Sequence, residues 1–351
     1  MTAEYKREIL PNPGSLVTRG RFNFGTFDRP FQTVNPLEAK NPLGRAYPRF
    51  INNQRLKEWQ AFQLGNEDFF MLAVLYSAKL AGLVQFICYD RKKDKKFLYE
   101  KIVPAWSLKI PGSLWNSEGV YLSRDFNLRI HDHLDQEKFV IELEINAFKK
   151  MPDVKARFEA IHDLKRVTPI VVSLPLGENR ALYSHKCLMP MQGTLTLGEN
   201  SVVFSQATSF AIIDDHKAFY PYVLKYDWVT GVGHELGKLT GFNLTCNQVK
   251  DQERYNENCL WIGGKLHLLP PVKFSRPEGI AKDWIIKDAH EMIDIVFTPT
   301  VPGNIDMNLL VLKTKYQGPF GKFRGYIKDS TGSKISADKF FGMGEEKYLR
   351  G

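Results

Sequence analysis

From Asp68 onward the chain is a succession of strand-length apolar runs divided by polar, turn-like breaks, with no amphipathic helices alternating between them. DFFMLAVLYSA, KLAGLVQFICYD and KKFLYEKIV come first, followed by VYLSRDFNLRIHD, KFVIELEINAF and VKARFEAIH. Breaks recur about every 8–12 residues, the spacing of antiparallel sandwiches and barrels, whereas a parallel sheet needs a crossover between strands. A helix across FFMLAVLYSAKLAGLV competes, but Phe, Val, Tyr and Ile dominate it, and a glycine and a basic turn cut it at strand length. The second half repeats the style, from GTLTLG and SVVFSQATSFAIID through KLTGFNLTC and CLWIGGKLHLL to FGKFRGYIKD. Gly263-Gly264 predicts a two-residue type I′ hairpin loop. Helix signals are confined to Asn52–Gln63 and a turn near the end.

A length of 351 residues exceeds what one core normally serves, so two domains are expected. The charged piece Asp163-Leu164-Lys165-Arg166 places their boundary, giving an N-terminal β-domain over 1–165 and a C-terminal one over 166–351. Residues 1–48, rich in Pro, Gly and Asn, read as an irregular arm with one strand that wraps a barrel or closes one end. The net charge of +9 is spread along the chain, and the dense run Arg91–Lys96 reads as a solvated hairpin turn, so no specific nucleic-acid partner is expected. Cys88, Cys187, Cys246 and Cys259 form no C-x-x-C pair and read as reduced thiols of a cytoplasmic protein. No signal core and no run of about 18 uncharged apolar residues is present.

Chemistry concentrates between Tyr183 and Gly264. Asp214, Asp215 and His216 end the apolar run SFAII, just ahead of Phe219, Tyr220, Tyr222, Tyr226 and Trp228, which is the make-up of a small-molecule pocket. On a strand the two aspartates face opposite sides, so at most one points into an apolar interior; if it does, burial raises its pKa and makes it an acid near neutral pH. His185 in YSHKC, His234, and Glu257 in NENCLW are the other candidates. Gly231-x-Gly233-x-x-x-Gly237 has one residue too many for a dinucleotide loop and precedes a strand rather than a helix. His131 and His133 would share one strand face, but without a third ligand they read as part of a polar hairpin; no metal and no cofactor is expected.

Several ordered motifs, YSHKCLMPMQGTLTLG, Asp214 with Pro221-Tyr222, Trp228 with Gly231, Gly241-x-Asn243-Leu244 and Glu257-Asn258-x-Leu260, together resemble a bacterial domain-of-unknown-function family. More distantly the chain is similar to the carotenoid hydratase (hydroxyneurosporene synthase) superfamily. That resemblance implies an all-β fold of two tandem lipocalin-like antiparallel barrels or half-barrels, the second supplying most of the pocket. It also implies a long apolar isoprenoid or polyketide-like ligand, acid-assisted hydration or cyclisation, and Asp214 as the pocket acid, lined by His185, Tyr222 and Trp228. Lys217-Ala218, Tyr226 and Thr245-Cys246 depart from the nearer family's usual residues. The catalytic candidates are thus Asp214, His185 and Glu257, and the ligand-binding candidates Tyr183, Lys217, Tyr222, Trp228, His234, Asn243 and Asn258. An apolar small molecule is the expected partner, with transient contact to an anionic membrane surface. The alternative is a non-catalytic lipid or isoprenoid carrier, and the blandest reading is a β-protein whose motifs serve folding alone.

Overall fold

The computed structural model describes residues 5–146, 148–308 and 313–350. Two large sheets hold nearly all of the strands. In the first, the hydrogen-bonded order is Lys95–Pro104, Ala81–Asp90, Phe69–Ser77, Lys57–Gly65, Phe210–Ala218, Arg180–Leu197, Val154–Ile161, Lys138–Ile145, Phe126–His133, Ser117–Leu122 and Leu108–Lys109. Most neighbours are consecutive in sequence, because tight polar turns return each strand beside its predecessor. The sheet curls until its ends approach: a Cβ on Gly82 would collide with Leu108, and one on Gly119 would press on Leu75 across the interior. It is a nearly closed antiparallel barrel.

The second sheet is a half-barrel, ordered Lys265–Leu268, Cys259–Ile262, Lys238–Cys246, Val223–Glu235, Phe341–Arg350, Phe320–Lys328, Ile293–Val301, Trp284–Asp288 and Val272–Ser275. Val229, Phe242, Trp284, Phe297 and Phe323 fill its own core. Its other face packs on the outside of the barrel, where Trp228, Val232, Phe320, Phe341 and Met343 meet Phe70, Leu72, Leu188, Phe210 and Ile212.

The middle of the barrel wall is therefore buried on both faces. Along Phe210–Ala218, Ala211 and Ile213 join the barrel core while Phe210, Ile212 and Ala218 join the layer between the sheets, as the two-residue period of a strand requires.

Three expectations change in detail. The helix runs over Arg49–Arg55 rather than Asn52–Gln63, because EWQAFQLG alternates with period two and becomes the Lys57–Gly65 strand. The sheets do not divide at 165/166: Ile170–Gly177, Arg180–Leu197 and Phe210–Ala218 all pair within the first sheet, and the chain crosses to the second between Ala218 and Val223. The charged piece at 163–166 is a turn, and nothing in the uniform strand series marks which sheet a strand joins. The arm contains four short strands, of which Gly25–Phe27 pairs with Ile170–Gly177. Leu16, Phe22, Phe27 and Phe31 pack on Tyr183 and Phe219, and Trp115 Nε1 donates to Phe31 O at 2.8 Å, so the arm is packed against the barrel. The Gly263-Gly264 loop forms as expected, with φ of 55° and 86°.

Candidate functional site

Between the barrel wall and the half-barrel lies a cavity of about 320 Å³. The wall contributes Trp59, Leu72, Val74, Tyr76 and Ile212, and the half-barrel contributes Tyr226, Trp228, Tyr316, Met343 and Leu349. Three polar groups are set into these apolar and aromatic surfaces.

The first centres on Lys186, whose position in Arg180–Leu197 points it outward from the barrel. Its buried ammonium donates to Asp214 Oδ1 at 2.9 Å, Glu257 Oε2 at 2.9 Å and Ser184 Oγ at 3.0 Å, and it lies 5.9 Å from the Trp228 ring centroid. Burial opposes its charge, but the two carboxylates more than offset this and hold it protonated above its ordinary range. Asp214 arrives as the register partner of Lys186 in the neighbouring strand. Glu257 arrives from the half-barrel, positioned by a chain in which Trp228 Nε1 donates to Asn243 Oδ1 at 2.6 Å and Asn243 Nδ2 to Glu257 O at 2.7 Å.

The second is His216, stacked on Trp59 with ring centroids 3.7 Å apart and joined to the Tyr220 hydroxyl through Nε2 at 2.6 Å. Burial, then the charges of Lys186 and Lys347, push the imidazole well below its ordinary value; burial, then Glu257 and Asp214, push the phenol well above its own. The pair is thus a protonated phenol donating to a neutral imidazole.

The third is Glu345, which accepts from Tyr226 at 2.7 Å and Tyr316 at 2.6 Å. Burial raises its pKa, against the lowering effect of Lys347 and these two bonds. The Lys347 ammonium lies within 6 Å of the Trp59, Tyr76, Tyr226 and Tyr316 rings.

The residues singled out from sequence are distributed unevenly. Asp214, Glu257 and Trp228 line the cavity. His185, Tyr183 and Lys217 lie on the opposite face of the same wall, inside the barrel. There His185 Nε2 meets His162 Nε2 at 3.1 Å, Lys217 Nζ bonds Asp215 Oδ1 at 3.3 Å, and Tyr183 packs on Phe31 at 6.0 Å. Tyr222 is 59% exposed and, like the half-buried His234, does not line the cavity. Asn243 and Asn258 act behind its wall, the latter taking the Thr245 N–H at 2.7 Å and donating to Pro270 O at 2.8 Å. Asp215 faces the enclosed barrel interior, where burial raises its pKa to about 6 against the lowering effect of Lys217.

Lys186, Trp59, Tyr76, Glu345 and Lys347 were not singled out. Lys186 had a readable signal, as a lone cation inside the long apolar run ALYSHKCLMPM. The others come from strands far away in sequence and carry no local mark.

No curated protein matches the sequence. Among solved structures, kievitone hydratase from Nectria haematococca matches with a TM-score of 0.52 at 10% identity, over 83% of this chain and 88% of that one. A protein provisionally named AttH from Nitrosomonas europaea matches with a TM-score of 0.49 at 13% identity, over 88% and 95%. The shared architecture is that of tandem lipocalin-like barrels. A family model covers residues 6–350, and the chain belongs to the family described as Domain of unknown function (DUF2804).

Proposed function

We propose that the cavity receives an apolar small molecule of lipid, isoprenoid or polyketide character and that the protein acts on it by proton transfer, in a hydration, isomerisation or cyclisation. The observation that carries this reading is one lysine held between two carboxylates, at the edge of an aromatic cavity. The apolar walls give the binding energy, at roughly 25 cal/mol per Å² of ligand surface removed from water. One ammonium against two carboxylates leaves formal negative charge at the cavity's polar end, and aromatic faces surround it. Both features stabilise positive charge that develops on a substrate carbon when an alkene or carbonyl is protonated. Asp214, the least covered member of the cluster, is the group that exchanges the proton. Its acid form gives the proton to the substrate and becomes the carboxylate held by Lys186, and it takes a proton back from the water that adds or from the neighbouring substrate carbon. Glu257 and Lys186 set its charge, and His216–Tyr220 supplies a second proton-bearing pair. The kievitone hydratase fold likeness agrees with a hydration but does not carry it.

A carrier is the second reading, favoured by the fact that Lys186 already satisfies both carboxylates internally. Native mass spectrometry of freshly purified protein, with solvent extraction of what co-purifies, names the ligand class. With that ligand in hand, Asp214→Asn should retain the fold and binding and reduce turnover by at least about a hundredfold. Undiminished turnover would remove Asp214 from the chemistry, and binding without turnover in the wild type would leave the carrier. A clean mass with no uptake from a lipid extract would overturn both.

A further inference from the structure

One corner of the barrel presents an apolar surface to solvent. Leu83 pairs with Ile102 and Ala81 with Pro104 across neighbouring strands, and Ala105 N donates to Leu80 O. Leu80, Ile102, Pro104 and Trp106 therefore lie on neighbouring stretches of backbone at this corner. Leu80 is 78% exposed, Ile102 66% and Trp106 84%. Ala81, Gly82, Leu83 and Ile102 also line the cavity, so this surface is the outer lip of the site. Cations flank it. The Lys57 ammonium donates to Ala78 O at 2.8 Å. Burial, then the nearby charges of Arg55 and Lys79, lower its pKa to about 8. Lys79 pairs with Glu58, and Arg55, Lys57 and Lys79 lie near enough for their charges to act on one another.

An exposed indole, leucine and isoleucine next to lysine and arginine is the composition that settles at a membrane–water interface, with rings at headgroup depth and cations against anionic lipid. No helix among the described residues is long and apolar enough to cross a membrane. We propose that this corner docks on an anionic lipid bilayer, Leu80, Ile102 and Trp106 entering the interface and Arg55, Lys57 and Lys79 facing the headgroups. The cavity lip then opens onto the bilayer, and an apolar ligand passes between membrane and cavity without crossing water. This deepens the proposed function and rests on it for the nature of the cargo, while the docking itself does not.

Flotation of the full chain with vesicles of phosphatidylcholine and phosphatidylglycerol tests it, beside uptake of a dansyl-labelled fatty acid from solution. Wild type should float with the mixed vesicles and release as salt rises. Leu80→Ser combined with Trp106→Ser should weaken flotation by roughly tenfold or more, with melting temperature and fatty-acid uptake unchanged. No flotation of the wild type, or equal flotation of the double variant, would overturn the docking whatever the cavity binds. Concentration-dependent dimerisation that the double variant abolishes, without vesicle binding, would assign the surface to a second copy instead. Flotation that depends on Leu80 and Trp106 with no fatty-acid uptake would uphold the docking and count against the cavity's proposed ligand.

Discussion

Asp214 and Asp215 are consecutive carboxylates in opposite surroundings. One faces the cavity and Lys186; the other faces the barrel interior and Lys217. Sequence alone showed that they must part, because strand neighbours point opposite ways. It did not show which goes where, since both interiors are apolar in composition and only the assembled sheets tell them apart. The same alternation puts His185 back to back with Lys186, so a histidine that looked like a partner for Asp214 pairs with His162 instead. Burial draws His162 down to about 4 from an ordinary 6.5. A folded value below the unfolded one means that its contribution to stability is fully present above pH 6.5 and is lost as pH falls towards 4. The size of that loss is about 3 kcal/mol. The stability advantage of wild type over His162→Phe, measured by urea unfolding, should therefore shrink by about that amount between pH 7 and pH 4. A constant difference would show that the ring is not held neutral.

At the scale of elements, the strand series and the Gly263-Gly264 hairpin were legible because period-two alternation and positive-φ turns are local properties. The hairpin's tertiary role was not. Gly264 O accepts from Thr168 N at 2.8 Å and Trp261 Nε1 donates to Thr168 O at 2.9 Å, so this turn clamps the link that follows Val154–Ile161. A Cβ on Gly264 would strike the Arg166 carbonyl, whereas one on Gly263 meets only the flexible Lys238 side chain. Gly264→Ala should accordingly cost about 1–3 kcal/mol through strain, more than Gly263→Asn, which the left-handed region tolerates. Thermal melts of the two variants compare them, and equal losses would mean that the clamp carries no load.

For the whole molecule, the cavity draws Trp59 and Tyr76 from the early strands, Lys186 and Asp214 from the middle and Glu345 and Lys347 from the last strand. No window of sequence contains such a site, which is why only its central part, Asp214, Trp228 and Glu257, stood out. Barrel and half-barrel share a wall covered by apolar contacts on both sides, and separating them would expose the larger part of the layer between. Calorimetry of the full chain should therefore show one cooperative transition with equal calorimetric and van't Hoff enthalpies; two resolved peaks would show that the units unfold independently.

The shared wall also makes pairing register a matter of function. If Phe210–Ala218 slid by one residue against its neighbours, every side chain would change face. Asp215 and Lys217 would enter the cavity, and Asp214 and His216 would vanish into the barrel. Composition would be conserved and chemistry inverted, so the strand's alignment, as much as its residues, encodes the site.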